Sequence, residues 1–239
     1  MRIAYLRVGA VPEPLRTQFD DYYIMFQQLF ARHAAEITLH NFAVRQGEFP
    51  TDRAAFDGYL IGGSADSAYD PAPWIAPLER FIQSLHREQR PLVGICFGHQ
   101  IIAQALGGVV MKAASGWGLG IRPLTCQQAV EQPAGLPTVL NLHYSHQDQV
   151  TTPPEAATTV ASAAHCPHAA LSIGKHILTF QGHPEFNSDY CGALIRSRKG
   201  RIAPDAVDEA LETLEQSADN GLIARWIADF YMAAKGQAC

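Results

Sequence analysis

Cys96 sits at the centre of Gly94-Ile95-Cys96-Phe97-Gly98, behind the apolar run of residues 91–95 and ahead of HQIIAQAL, residues 99–106. A thiol does chemistry as thiolate, so its setting decides whether it is reactive or inert. A strand, a sharp turn and a helix in that order make a nucleophile elbow, where the apex residue holds a strained backbone. Residues two positions to either side then lack Cβ so that strand and helix can pass closely. The helix start would add free N–H groups and a positive field, both of which favour thiolate. The other reading is a small apolar core cysteine beside incidental glycines.

A thiolate nucleophile needs a base and a group that orients the base. Of the ten histidines, His183 in FQGHPEF (180–186) is the best placed, at the end of the apolar run HILTF. Glu185 stands two residues on, and in extended chain residues i and i+2 face the same way. Pro184 biases His183 toward that extended conformation. A carboxylate on one ring nitrogen sets the tautomer and favours imidazolium, which leaves the other nitrogen for Cys96. A surface His-Pro-Glu turn is the alternative, and His146 is the next candidate base.

GICFGHQ followed far downstream by GHPEF resembles the class I (triad-type) glutamine amidotransferases. YLIGGSADSAYD (59–70) and HYSHQDQV (143–150) extend the resemblance over most of the chain from Leu60 to Glu185. It is most similar to the amidotransferase domain of GMP synthetase and to free-standing relatives that include γ-glutamyl peptidases. The resemblance implies Cys96 as nucleophile, His183 as base and later acid, and Glu185 as orienter. It also implies an oxyanion hole from the N–H groups of Gly63 and Phe97. Substrate would be held by Gln100 and by the main chain around Tyr144 and Ser145, with His146 and Asp148 completing an S-H-x-D pattern. Ser64 departs from the family, many members of which have proline there; the rigidity of that loop is therefore open. The expected function is hydrolysis of the glutamine γ-amide through a γ-glutamyl thioester, supplying ammonia to a separate synthetase or acceptor subunit. A stand-alone γ-glutamyl peptidase with the same triad, and a non-catalytic regulatory subunit, are the alternatives.

The elements that must position these residues follow from hydrophobic period. Strands are expected at residues 2–8, 36–44, 57–63 and 91–95, and helices at 17–33 and 73–88, an alternation that implies a parallel sheet with helices on both sides. After Gly107 strand-like runs follow one another (108–113, 118–126, 138–145, 158–163, 169–174, 176–182), which predicts an extended sheet and an added antiparallel layer. Helices return from about Tyr190. The fold class is thus three-layer α/β, and the resemblance implies a flavodoxin-like core. With 239 residues and no linker or repeat, one domain is expected.

Composition excludes several functions. A net charge of −5 without a long basic run argues against nucleic acid and anionic membrane as partners. No secretory pattern or 18-residue apolar run appears, so a cytoplasmic protein is expected. The five cysteines, an odd number widely spaced, read as reduced thiols. No phosphate-binding P-loop is present, SGWGLG (115–120) reads as a turn rather than a dinucleotide site, and neither His143 with His146 nor His165, Cys166 and His168 completes a tetrahedral metal site. No cofactor or metal is implied. The aromatic stripe of Tyr22, Tyr23, Phe26 and Phe30 reads as core.

Overall fold

The computed structural model of the chain describes residues 1–127 and 133–236; Cys239, one of the five thiols, lies outside the described residues. Five parallel strands form its centre. β1 (Arg2–Arg7) runs between β2 (Thr38–Ala43) and β3 (Gly58–Ile61), and β3 is followed by β4 (Leu92–Ile95) and then by β11 (Ile177–Phe180). Every residue of β3, β4 and β11 is buried, as central strands covered on both faces require. Alternate residues serve opposite faces. Ile3, Tyr5, Leu60, Val93 and Phe180 pack with α1 (Tyr22–His33) and α6 (Asn220–Gly236), while Leu6, Tyr59 and Ile61 pack with α2 (Ile75–Arg87) and α3 (Phe97–Ala105).

The expected antiparallel strands mostly continue this same sheet. Beyond β11 come β10 (Cys166–Ile173), β9 (Ala157–Ala163), β6 (Gly118–Cys126) and β7 (Val139–His146), nine strands in one sheet. A separate ribbon pairs β5 (Val109–Lys112) with β8 (Asp148–Thr152). The polar sequence DQVTT of β8 carries no strand signal of its own, and its pairing to β5 is what makes it one. Within SGWGLG only the start is turn: Ser115 lies in a turn closed by the Gly116 N–H donating to Ala113 O at 3.0 Å, with Gly116 at φ 84°, while Gly118 and Gly120 already belong to β6.

The helix expected over 17–33 begins five residues later, at Tyr22. Ahead of it residues 13–15 form a short 3₁₀ turn that follows Pro12 and contains Pro14, and Asp21 is extended, with a side chain that accepts from Arg7 at 3.2 Å. Helical period in the aromatic residues therefore overstates the helix, because Phe19 is turned into a cluster with Tyr190. Phe26 and Phe30 are core, as the stripe suggested. Among the described residues no helix is long and apolar enough to cross a membrane. Parallel pairing has one consequence for chemistry. The segments that leave β3, β4 and β11 emerge at the same edge of the sheet, where crevices of open α/β sheets form.

Candidate active site

Cys96 links β4 to α3 with φ 54° and ψ −102°, left-handed for a residue that carries a side chain. Such a backbone costs about 1–3 kcal/mol and persists only where its surroundings enforce it. The flanking glycines show how. A Cβ on Gly94 would lie 2.6 Å from the Gly98 carbonyl, and one on Gly98 would lie 2.2 Å from the Ile61 oxygen. Both glycines are needed for space, which is the reading made from G-I-C-F-G. The Cys96 N–H donates to Phe180 O at 2.8 Å and the Gly98 N–H to Gly62 O at 3.1 Å, so the elbow is tied to the ends of β11 and β3.

Those ties bring His183 and Gly63 to the sulfur. The His183 N–H donates to His143 O at 2.8 Å, and its ring stacks flat on Phe186 at 3.9 Å between centroids. Phe186 is itself braced by Tyr22 and Tyr190, whose hydroxyls join at 2.8 Å. His183 Nδ1 lies 2.8 Å from Glu185 Oε1, with the two side chains 5% and 0% exposed. Burial by itself disfavours a cationic ring and is the largest single influence. The Glu185 carboxylate and the Cys96 sulfur, which hydrogen-bonds the same imidazole, together outweigh it and push His183 up to about 10. The pair is therefore built to hold a proton on the ring. A Cβ on Gly63 would come 3.0 Å from His183 Cε1, so this loop passes in tight contact with the ring. Neither the Gly63 nor the Phe97 N–H has an acceptor among the described residues.

A cavity of about 260 Å³ opens from Cys96. Gln100, Ser145, His146 and Asp148 line it, as the sequence suggested, and Ser64 to Ser67 close one side. Gln100 Nε2 is already engaged, donating to Asp148 O at 2.7 Å and Gln181 Oε1 at 3.0 Å, which leaves the residue as a fixed wall. Tyr144 is not at the cavity: its ring is fully buried in the core. His146 does not face the sulfur as a base; its Nδ1 is turned to Asp148 O at 2.9 Å, and burial, with His165 nearby, pushes it down to about 3. The Ser64 departure has a local answer. Ser64 Oγ donates to Asp66 Oδ2 at 2.7 Å, and Asp66 pairs with Arg45, so hydrogen bonds hold the loop where proline would.

Three lining residues had no sequence signal. Arg198 Nη1 donates to Ser145 O at 2.9 Å and Oγ at 2.6 Å, and its guanidinium lies 5.1 Å over Trp117, with Arg201 on the same ring at 5.9 Å. Partial burial lowers the Arg198 pKa, and this half-buried cation lines the cavity. Which of the arginines at 196–201 turns inward depends on how α4 (Ser188–Ser197) ends against β7.

A deep-elbow cysteine, a His–Glu pair on the neighbouring strand end and a glycine loop beside them come together at one edge of the α/β sheet. The profile of the family described as glutamine amidotransferase class-I matches residues 19–198, and the chain belongs to that family. It is accordingly an enzyme of the cysteine-nucleophile, amide-hydrolysing type. Gamma-glutamyl peptidase 3 of Arabidopsis thaliana is 35% identical over 79% of this chain and 78% of the relative. A GMP synthase [glutamine-hydrolyzing] of Lactococcus lactis is 30% identical over 69% of this chain but 32% of that protein. In fold, a glutamine amidotransferase from Thermotoga maritima superposes with TM-score 0.77 at 19% identity, covering 96% of this chain and 97% of that one.

Proposed function

We propose that the chain hydrolyses γ-glutamyl amides through Cys96, His183 and Glu185, and that its substrate is a γ-glutamyl peptide rather than glutamine destined for an acceptor enzyme. The observation that carries the chemistry is the strained Cys96, hydrogen-bonded to an imidazole whose Nδ1 is held 2.8 Å from a buried carboxylate.

The sulfur, as thiolate beside the His183 imidazolium, attacks the γ-carbonyl carbon. A C–S bond forms while the carbonyl electron pair moves to oxygen, which the Gly63 and Phe97 N–H groups receive. Fixed donors at such an oxyanion are worth about 3–4 kcal/mol. When the carbonyl re-forms, the C–N bond breaks and the leaving nitrogen takes the proton from the ring of His183. The neutral ring then accepts a proton from water, the hydroxide attacks the thioester, and C–S cleavage returns thiolate and glutamate. Glu185 keeps Nδ1 protonated throughout, so that Nε2 is the nitrogen that exchanges protons. Arg198, with Arg201, takes the α-carboxylate of the glutamyl group, the role its half-buried charge suits.

The comparisons favour the peptidase over the ammonia-supplying reading: the γ-glutamyl peptidase relative is 35% identical over 79% of this chain, the GMP synthase relative 30% over 69%. Steady-state kinetics on the purified chain test the choice, with glutamine and a γ-glutamyl dipeptide as rival substrates. The proposal expects the larger kcat/KM for the dipeptide, unchanged by cell extract. Slow glutamine turnover that rises when a synthetase-type partner is added would reverse it, and no turnover of either would return the regulatory-subunit reading.

A further inference from the structure

A second cavity lies beside the site, and the reaction just described leaves it unused. It measures about 780 Å³, three times the volume of the cavity at Cys96. It sits over the C-terminal ends of β1 and β2, next in line after β3 and β4 along the same sheet edge. Ser64, Ala65 and Asp66 line both cavities, so a single loop divides them. That loop is the continuation of Gly63. Its position is enforced from behind, because a Cβ on Gly9 would lie 2.4 Å from the Gly63 oxygen.

The wall is cationic in a protein of net charge −5. Arg7, Arg16 and Arg45 line it against two carboxylates, Asp21 and Asp66. Arg7 pairs with Asp21 at 3.2 Å and Arg45 pairs with Asp66. Arg16 has no carboxylate partner among the described residues. Its Nε donates to Val11 O at 2.8 Å, an anchor that leaves the two terminal nitrogens as a fork. Such a fork matches a carboxylate bidentately. Asp21, also in the wall, is held in place by Arg7 through its Oδ2.

Ammonia would need no such chamber, whereas volumes of roughly 300–1,000 Å³ suit small organic ligands. With the glutamyl group in the first cavity and its carbonyl carbon at Cys96, the scissile nitrogen must point away from that cavity, toward the Gly63–Asp66 loop and His183. We propose that the second cavity receives the leaving group of a γ-glutamyl peptide that ends in a free carboxylate, with the Arg16 fork on the carboxylate. When the C–N bond breaks and His183 protonates the nitrogen, the amino acid or short peptide is released from this chamber while glutamate stays on sulfur as the thioester. The inference rests on the peptidase reading above and deepens it to a substrate class.

The test uses the full chain and three substrates: glutamine, γ-glutamyl-alanine with its free carboxylate, and the same dipeptide as its C-terminal amide. A charge-assisted bidentate contact predicts kcat/KM about tenfold or more higher for the free acid than for the amide. In R16Q that ratio moves toward one, and in R16K it recovers in part. A wild-type ratio near one overturns the site and leaves the peptidase function standing, and this comparison needs no variant to fold. An undiminished ratio in the folded R16Q/R45Q double variant overturns it equally. Hydrolysis of glutamine with neither dipeptide cleaved overturns the peptidase function, and the site with it.

Discussion

Glu185→Gln isolates what the third member of the triad contributes, because it keeps shape and an acceptor oxygen while removing charge. In the native protein Glu185 Oε1 lies 2.8 Å from His183 Nδ1 with both side chains out of water, and the carboxylate is the foremost of the influences that push His183 up to about 10. A hydrogen bond between charged partners contributes about 1.5–3 kcal/mol more than none, and each 1.36 kcal/mol is about tenfold in rate, so kcat/KM should fall by roughly 10- to 150-fold at neutral pH. The pH profile carries the sharper signature. A raised pKa keeps the imidazolium, the acid for the leaving nitrogen, populated far into the alkaline range, and activity is lost as pH rises through about 10. Without the carboxylate that limb moves down toward the ordinary histidine value of about 6.5. The same sign applies to stability: the pair stabilises the fold below the unfolded histidine value and ceases to as pH rises through about 10. The assay is glutamate release from pH 5 to 10.5 for both proteins. An unmoved alkaline limb with kcat/KM within about threefold of wild type would refute the coupling of these two residues.

Cys96→Ala should remove several orders of magnitude of activity with no loss of the folded state, read by kcat and by circular dichroism. Thiol alkylation followed by peptide mass spectrometry should find Cys96 before Cys126, Cys166 and Cys191, since Cys96 lines the cavity while burial pushes the other three thiols up, Cys166 and Cys191 to about 12. Gly98→Ala should destabilise by about 1–3 kcal/mol or more in urea titration, because the new methyl meets backbone oxygen at Ile61 rather than a side chain that could swing away. Arg198→Met should raise KM for glutamine about tenfold or more, with kcat less affected; an unchanged KM would take the α-carboxylate elsewhere.

The sequence by itself carried the elbow and the His-Pro-Glu pair, and for a physical reason: both are local. Gly94 answers a crowding set inside the elbow, by the Gly98 carbonyl, while Gly98 meets Ile61 O on the neighbouring β3, and the facing of His183 and Glu185 is a property of extended chain two residues long. The parallel half of the sheet was legible because strands covered on both faces are continuously apolar. What failed was what depends on distant chain. The start of α1 was misjudged because Asp21 serves Arg7, fourteen residues away, and the polar β8 is a strand only by pairing with β5. The Tyr144 ring is set in the core and the His146 Nδ1 against Asp148 O by packing that no local pattern shows. Arg198, Trp117 and the Arg7, Arg16 and Arg45 cavity had no local signature at all. Charged and aromatic side chains scattered along a chain have no preferred neighbour until packing of the sheet and α4 brings them together, so the chemistry of the nucleophile was written in sequence and the shape of what it accepts was decided by the tertiary structure.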